Sequence, residues 1–164
     1  MSFSIFKKKE NIIKLILFIL APLLVGALSS YLTQDTMVRY QNLNQPAFAP
    51  PGWIFPIVWT LLYIMMGVAS FIVYMYGFHN KDVKKSLIFY DLQLIFNFFW
   101  SIIFFRWELR GFALLWLIIL LALIIITTIN FYKVNKYASY LMIPYILWVC
   151  FAGILNYAVW QLNL

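Results

Sequence analysis

Hydrophobic positions fall into five long runs, at 12–32, 53–76, 86–105, 112–132 and 140–162. About twenty helical residues rising 1.5 Å each cross a hydrocarbon core of about 30 Å, and every run reaches that length. Charge is almost absent within them: Lys14 lies in the first and Asp91 in the third. Strands of a membrane barrel would alternate apolar and polar positions over about ten residues. Backbone groups in lipid must find partners within their own segment, so continuous runs predict helices. The pattern predicts an all-α membrane protein, a five transmembrane helix bundle, with residues 1–164 forming one transmembrane domain and 33–52 an ordered loop.

Composition narrows the class. The chain has 164 residues, of which 65% are hydrophobic and 10% charged, with a mean hydropathy of +0.90. Soluble domains carry about 25% charged residues. A soluble fold could not hide this much apolar surface, which excludes a soluble enzyme, a disordered chain and a nucleic-acid module. The net charge of +7 resides in short loops and so reports topology. Lys7, Lys8, Lys9 and Lys14 lie at the amino-terminal end, Lys81, Lys84 and Lys85 in the second loop, and Lys133 and Lys136 in the fourth. The opposite side holds Arg39, Arg106 and Arg110. The positive-inside bias places the amino terminus in the cytoplasm, with the carboxyl terminus and loop 33–52 outside, in a plasma (inner) membrane. The first run is longer than the roughly 7–15 residues of a signal-peptide core, so an uncleaved helix is expected. A single cysteine, Cys150, and a single histidine, His79, supply no disulfide and no metal cluster.

Aromatic residues make up 21% of the chain and need a reason. On the third helix Gln93, Asn97, Trp100 and Phe104 share one face. Buried amides in lipid are costly unless paired, so this face points inward, either as helix glue or as part of a site. The second helix offers Trp53, Pro56, Thr60, Tyr63 and Gly67 as a stripe, with Trp53 either a site residue or an interface anchor. The fifth offers Pro144, Trp148, Ala152 and Asn156, where a mid-membrane Trp beside a small Ala leaves room for another helix or a flat ligand. The fourth, nearly pure Leu and Ile, reads as a wall facing lipid or a second subunit. Asp91 reads as an interfacial ion pair with Lys84 or Lys85, or as the acid of a transporter. Loop 33–52 carries Tyr40, Leu43, Phe48, Pro50 and Pro51, and reads as a lid or a plain connector. Together these residues outline an aromatic pocket suited to flat ligands.

Pro46-x-Phe48-x-Pro50-Pro51-x-Trp53, followed by Pro56-x-x-Trp59-x-x-x-Tyr63-x-x-x-Gly67, resembles the TspO/MBR family of tryptophan-rich sensory proteins. Gln93-Leu-x-x-x-Asn97-x-x-Trp100 and Pro144-Tyr145-x-x-Trp148-x-x-Phe151-Ala152-x-x-Leu155-Asn156 resemble its third and fifth helices. The resemblance implies a homodimeric five-helix bundle, without a required cofactor, that binds tetrapyrroles such as protoporphyrin IX or haem, or another flat hydrophobic molecule. It carries the family's pocket onto Trp53, Tyr63, Asn97, Trp100, Trp148, Ala152 and Leu155, with Tyr40, Phe48, Pro50 and Pro51 as lid. Two departures stand out: Phe48 and Arg39 occupy positions where the family usually has Trp. Gln161 stands where animal members have the basic residue of a cholesterol motif, so cholesterol binding is not expected. The expected function is a tetrapyrrole receptor or carrier with membrane lipid, and not nucleic acid, as its surroundings. The alternatives are a light-dependent porphyrin-degrading enzyme using Trp53 and Trp148 as catalytic residues, and a small-solute or lipid transporter using Asp91.

Overall fold

The computed structural model describes residues 9–36, 40 and 42–164. Lys7, Lys8 and Arg39, which entered the charge count, lie outside the described residues. The described residues form five α-helices: α1 (Lys9–Thr33), α2 (Ile54–Tyr74), α3 (Lys81–Ser101), α4 (Arg110–Val134) and α5 (Lys136–Leu162). All are long and apolar enough to cross a membrane, and no strand occurs among the described residues. A 3-10 turn (Gln34–Thr36) extends α1 and a π-helical turn (Ile102–Arg106) extends α3.

Two helices begin four or five residues earlier than hydropathy predicts, and asparagine caps explain both. Asn80 Oδ1 accepts from the Asp82 amide at 2.9 Å, starting α3 at Lys81 rather than at residue 86. Asn135 Oδ1 accepts from the amides of Tyr137 and Ala138 at 2.8 and 3.1 Å, starting α5 at Lys136 rather than at residue 140. Each cap satisfies amide donors that the first helical turn leaves without intrahelical partners. The added turns carry Lys, Asp and Tyr, which suits a headgroup region and hides them from a hydropathy scan.

The helices form a ring in the order α1–α2–α5–α4–α3, with α1 closing back on α3. Lipid tails are as apolar as leucine, so close packing and polar contacts hold such a ring together. Gly67 shows the first. A Cβ there would stand 2.6 Å from both the Ile19 Cα and the Phe18 carbonyl oxygen, so α1 and α2 cross backbone to backbone. A buried hydrogen-bonded chain across three helices shows the second. The Tyr63 hydroxyl on α2 donates to Asn97 Oδ1 on α3 at 2.7 Å. Asn97 Nδ2 donates to the Tyr145 hydroxyl on α5 at 2.8 Å, and that hydroxyl donates to Gln93 Oε1 at 3.0 Å. Tyr63, Asn97, Tyr145 and Gln93 are all buried.

On α4 the face reading is half right. Leu115 and Ile118 are exposed, whereas Leu117, Leu120 and Ile124 are buried against the ring. Trp116 lies flat on Phe96 of α3 (centroids 4.4 Å apart, 17°) and donates its Nε1–H to the Phe96 carbonyl at 2.8 Å.

Candidate functional site

Above the buried hydrogen-bonded chain, at the end of the bundle nearest residues 40–52, α1, α2, α3 and α5 part to leave a cavity of about 160 Å³. From α1 it receives small residues: Gly26, Ser29, Ser30 and Thr33. Gly26 is there because a Cβ would collide with the Tyr63 ring. From α2 come Phe55, Pro56, Trp59 and Tyr63. Pro56 lies in the first turn of its helix, where its missing N–H costs no intrahelical bond. The Trp59 ring stacks on Tyr63 (5.6 Å, 29°) and meets Tyr145 edge-on (6.2 Å, 68°).

From α3 come Trp100, Ser101, Phe104 and Phe105. The π turn widens the helix at this point, and Trp100 stacks on Phe104 (5.5 Å, 22°). Such insertions often mark functional sites. From α5 come Trp148, Ala152, Leu155 and Asn156. Trp148 packs edge-on against Phe55 (5.9 Å, 66°), so indoles from three helices border one space.

Tyr40 covers this space, with its ring edge-on to Phe104 (5.9 Å) and Phe105 (5.3 Å). Burial pushes its phenol above the ordinary value. Beyond it lies an outer vestibule of about 450 Å³, walled by Leu43, Gln45, Pro50 and Pro51 and sharing Tyr40, Phe55 and Phe105 with the inner cavity. The loop is pinned to the end of α5. The Asn44 amide donates to Asn163 Oδ1 at 3.0 Å, and Asn163 Nδ2 donates to the Asn44 carbonyl at 2.9 Å. Phe48 is half exposed and meets Phe151 at 6.5 Å, outside both chambers.

Three polar atoms at the cavity wall have no hydrogen-bond partner in the protein: Trp100 Nε1, Trp148 Nε1 and Asn156 Oδ1. Buried donors and acceptors are nearly always satisfied, and a group left alone costs about 1–3 kcal/mol. A chamber with two unused N–H donors and one unused acceptor is suited to a mostly apolar guest with a few polar atoms.

The structure gathers Tyr63, Trp100, Trp148, Ala152 and Leu155 around one cavity. It leaves Trp53 out. That indole is 67% exposed, on the turn preceding the first residue of α2, and borders neither chamber. Trp59, one of the motif residues given no role from sequence, takes the inward place. Trp53 and Trp148 thus share neither chamber, and Trp59 and Trp100 are the indoles that border the inner one with Trp148. Asn97 also does not reach the cavity wall, because both ends of its amide are engaged with Tyr63 and Tyr145. Asp91 is exposed on α3 and borders no part of the cavity.

Comparison with known proteins agrees with this architecture. The chain is 39% identical to the Tryptophan-rich protein TspO of Archaeoglobus fulgidus, over 93% of this chain and 99% of that one. It is 37% identical to the protein of the same name from Chlorobaculum tepidum, over 94% and 98%. It is 36% identical to the human Translocator protein, over 89% and 88%. The profile of the TspO/MBR family matches residues 18–161, from the α1 crossing at Phe18 to the last turn of α5, and on that match the chain belongs to the TspO/MBR family.

Proposed function

We propose that this integral membrane protein is a receptor or carrier for a flat, mostly apolar ligand of the tetrapyrrole class, taken up beneath Tyr40. One observation carries the reading: three indoles and small residues border a single chamber in which two N–H donors and one acceptor have no protein partner. Aromatic walls favour offset or edge-on packing with another ring system, and a few polar atoms fix its orientation. The inner chamber of about 160 Å³ is smaller than a tetrapyrrole. It shares Tyr40, Phe55 and Phe105 with the outer vestibule of about 450 Å³, so with Tyr40 displaced the ring would reach from one into the other. Metal-free protoporphyrin suits the lining better than haem. Among the described residues bordering the cavity there is no His, Cys or Met, and of its two tyrosines Tyr63 has its hydroxyl committed to Asn97, which leaves Tyr40 alone as a side chain able to meet an iron.

The charge pattern supports an amino terminus in the cytoplasm of a plasma (inner) membrane. Lys81, Lys84, Lys85, Lys133 and Lys136 lie at one end of the bundle, and Arg106 and Arg110 at the cavity end.

The test is a protoporphyrin IX titration of the detergent-purified protein, read by tryptophan fluorescence. Saturable quenching is expected in the wild type, weakened about tenfold or more in Trp148→Ala and Trp59→Ala, by loss of an aromatic contact in a desolvated site. Trp53→Ala should bind as the wild type does. Quenching that never saturates, or that Trp53→Ala weakens more than Trp59→Ala, overturns the reading.

A further inference from the structure

Arg110 opens α4, and its side chain is 17% exposed at the outer mouth of the cavity. It borders a small crevice with Thr36, Tyr40, Phe104, Phe105 and Glu108, and three of these, Tyr40, Phe104 and Phe105, also wall the main cavity. The guanidinium is poorly matched there. Its Nε is buried without a hydrogen-bond partner. Its Nη2 stands 3.6 Å from Glu108 Oε2, beyond the 2.7–2.9 Å or so of a charge-assisted hydrogen bond. The Nε–H and one Nη–H of a guanidinium point along the same edge, and that edge fits the two oxygens of a carboxylate side by side.

The surroundings fix the backbone that carries this side chain. The Arg110 amide donates to the Glu108 carbonyl at 2.9 Å, closing a tight turn in which Glu108 adopts φ 55°, a left-handed conformation unusual for a residue with a side chain. The Arg110 carbonyl accepts from Asn156 Nδ2 at 2.9 Å, and Asn156 is itself a cavity residue. A largely desolvated guanidinium whose Nε–H has no partner and whose Nη2 meets Glu108 only at 3.6 Å favours a better-placed anion.

We propose that Arg110 is a carboxylate anchor at the cavity mouth: a flat ligand lying beneath Tyr40 places an acidic group on the Nε–Nη2 edge of Arg110, and Glu108 competes for that edge. The proposal rests on the ligand reading above and adds to it that the preferred ligand is an acid.

The experiment compares protoporphyrin IX, which carries two carboxylates, with its uncharged dimethyl ester. It uses the intact protein in an uncharged maltoside detergent that offers no competing phosphate. Wild type should bind the acid about tenfold tighter than the ester, the lower range expected of a hydrogen bond to a charged group at a partly wet site. Arg110→Gln should erase that difference by weakening the acid alone. Glu108→Gln should tighten the acid a few-fold and leave the ester unchanged. Equal wild-type affinity for acid and ester overturns the anchor, as does an Arg110→Gln variant that weakens both alike or neither. If Arg110→Gln does not fold, the Glu108→Gln result decides: an acid affinity no tighter than wild type overturns the proposal. Failure of both ligands to bind wild type overturns the porphyrin reading itself, whereas tight ester binding with no acid preference overturns only the anchor.

Discussion

Replacing Asn97 by Leu separates bundle cohesion from ligand contact. The side chain is nearly isosteric, so the change removes chemistry with little loss of volume. It deletes the acceptor for the Tyr63 hydroxyl at 2.7 Å and the donor to the Tyr145 hydroxyl at 2.8 Å. Tyr145 keeps its bond to Gln93 at 3.0 Å, so its own proton stays satisfied. Tyr63 is buried and its hydroxyl loses the acceptor it had in Asn97. A buried orphan costs about 1–3 kcal/mol, while cross-helix hydrogen bonds in membranes average about 0.6 and reach about 1.7 kcal/mol. A loss of about 1–2 kcal/mol is therefore expected. The assay is reversible unfolding in mixed micelles as the denaturing detergent fraction rises. Tyr63→Phe alone should cost less, since it breaks one bond and leaves only the Asn97 Oδ1 acceptor without its donor, whereas Asn97→Leu breaks two. The double variant Tyr63→Phe/Asn97→Leu should be more stable than the sum of the single losses implies, by about 0.5 kcal/mol or more. Strict additivity would refute the hydrogen bond. The same variant should lose less affinity for protoporphyrin than Trp59→Ala; a larger loss would place Asn97 against the ligand and refute its assignment to the network.

Other perturbations probe other joints. Gly67→Ala should destabilise the bundle by about 1–3 kcal/mol by overpacking. Its Cβ would meet α1 backbone atoms at 2.6 Å, and the same unfolding assay would read the loss. Asn44→Ala should free the loop from Asn163, raising the rate of ligand release in stopped-flow quenching with little change in unfolding midpoint. Burial raises the Tyr40 phenol above its ordinary value of 10, so the closed loop favours the protonated form. The loop contact is thus fully present below pH 10 and weakens as pH rises beyond it. Ligand release should quicken there in wild type and lose that pH dependence in Tyr40→Phe.

The helices were legible because lipid leaves the backbone few choices, and five runs of sufficient length could hardly become anything else. Their polar first turns were not, because a hydropathy window discards Lys81 and Lys136 although Asn80 and Asn135 cap just before them. The place of Trp53 outside the chambers has a geometric origin. From Gly67 back along a helix face, each move is either three residues or four, and the two choices differ by about 100°. Trp53–Pro56–Thr60–Tyr63 and Phe55–Trp59–Tyr63 are both permitted, and only the second stays inside the bundle. The first also ran past the start of the helix, onto a turn where the periodicity no longer applies. Asn97 and Trp100 share a buried face, as their spacing predicts. The sequence could not say that Tyr145 would reach its amide first. The π turn at Ile102–Arg106 left no readable mark. Neighbouring residues on a regular helix point about 100° apart, yet Phe104 and Phe105 both border the cavity and both meet Tyr40.

Depth along the helices explains why such a chamber survives in a bundle that gains little from hydrophobic burial. The contacts that lock the ring, Gly67 against α1 and the Tyr63–Asn97–Tyr145–Gln93 chain, lie on the inward side of the cavity. The cavity itself uses the outer turns: residues 26–33 of α1, 55–63 of α2, 100–105 of the third span and 148–156 of α5. Tyr63 is the one residue that serves both, its hydroxyl in the network and its ring against Trp59. Cohesion below frees the outer turns to carry small residues opposite aromatic ones without having to hold the bundle together. Substitutions at Gly67 and Asn97 should therefore read out in stability, those at Trp59 and Trp148 in affinity, and only Tyr63 in both. A Trp59 or Trp148 variant that unfolds as readily as Asn97→Leu would show that the aromatic walls are structural and that the division between the two depths is wrong.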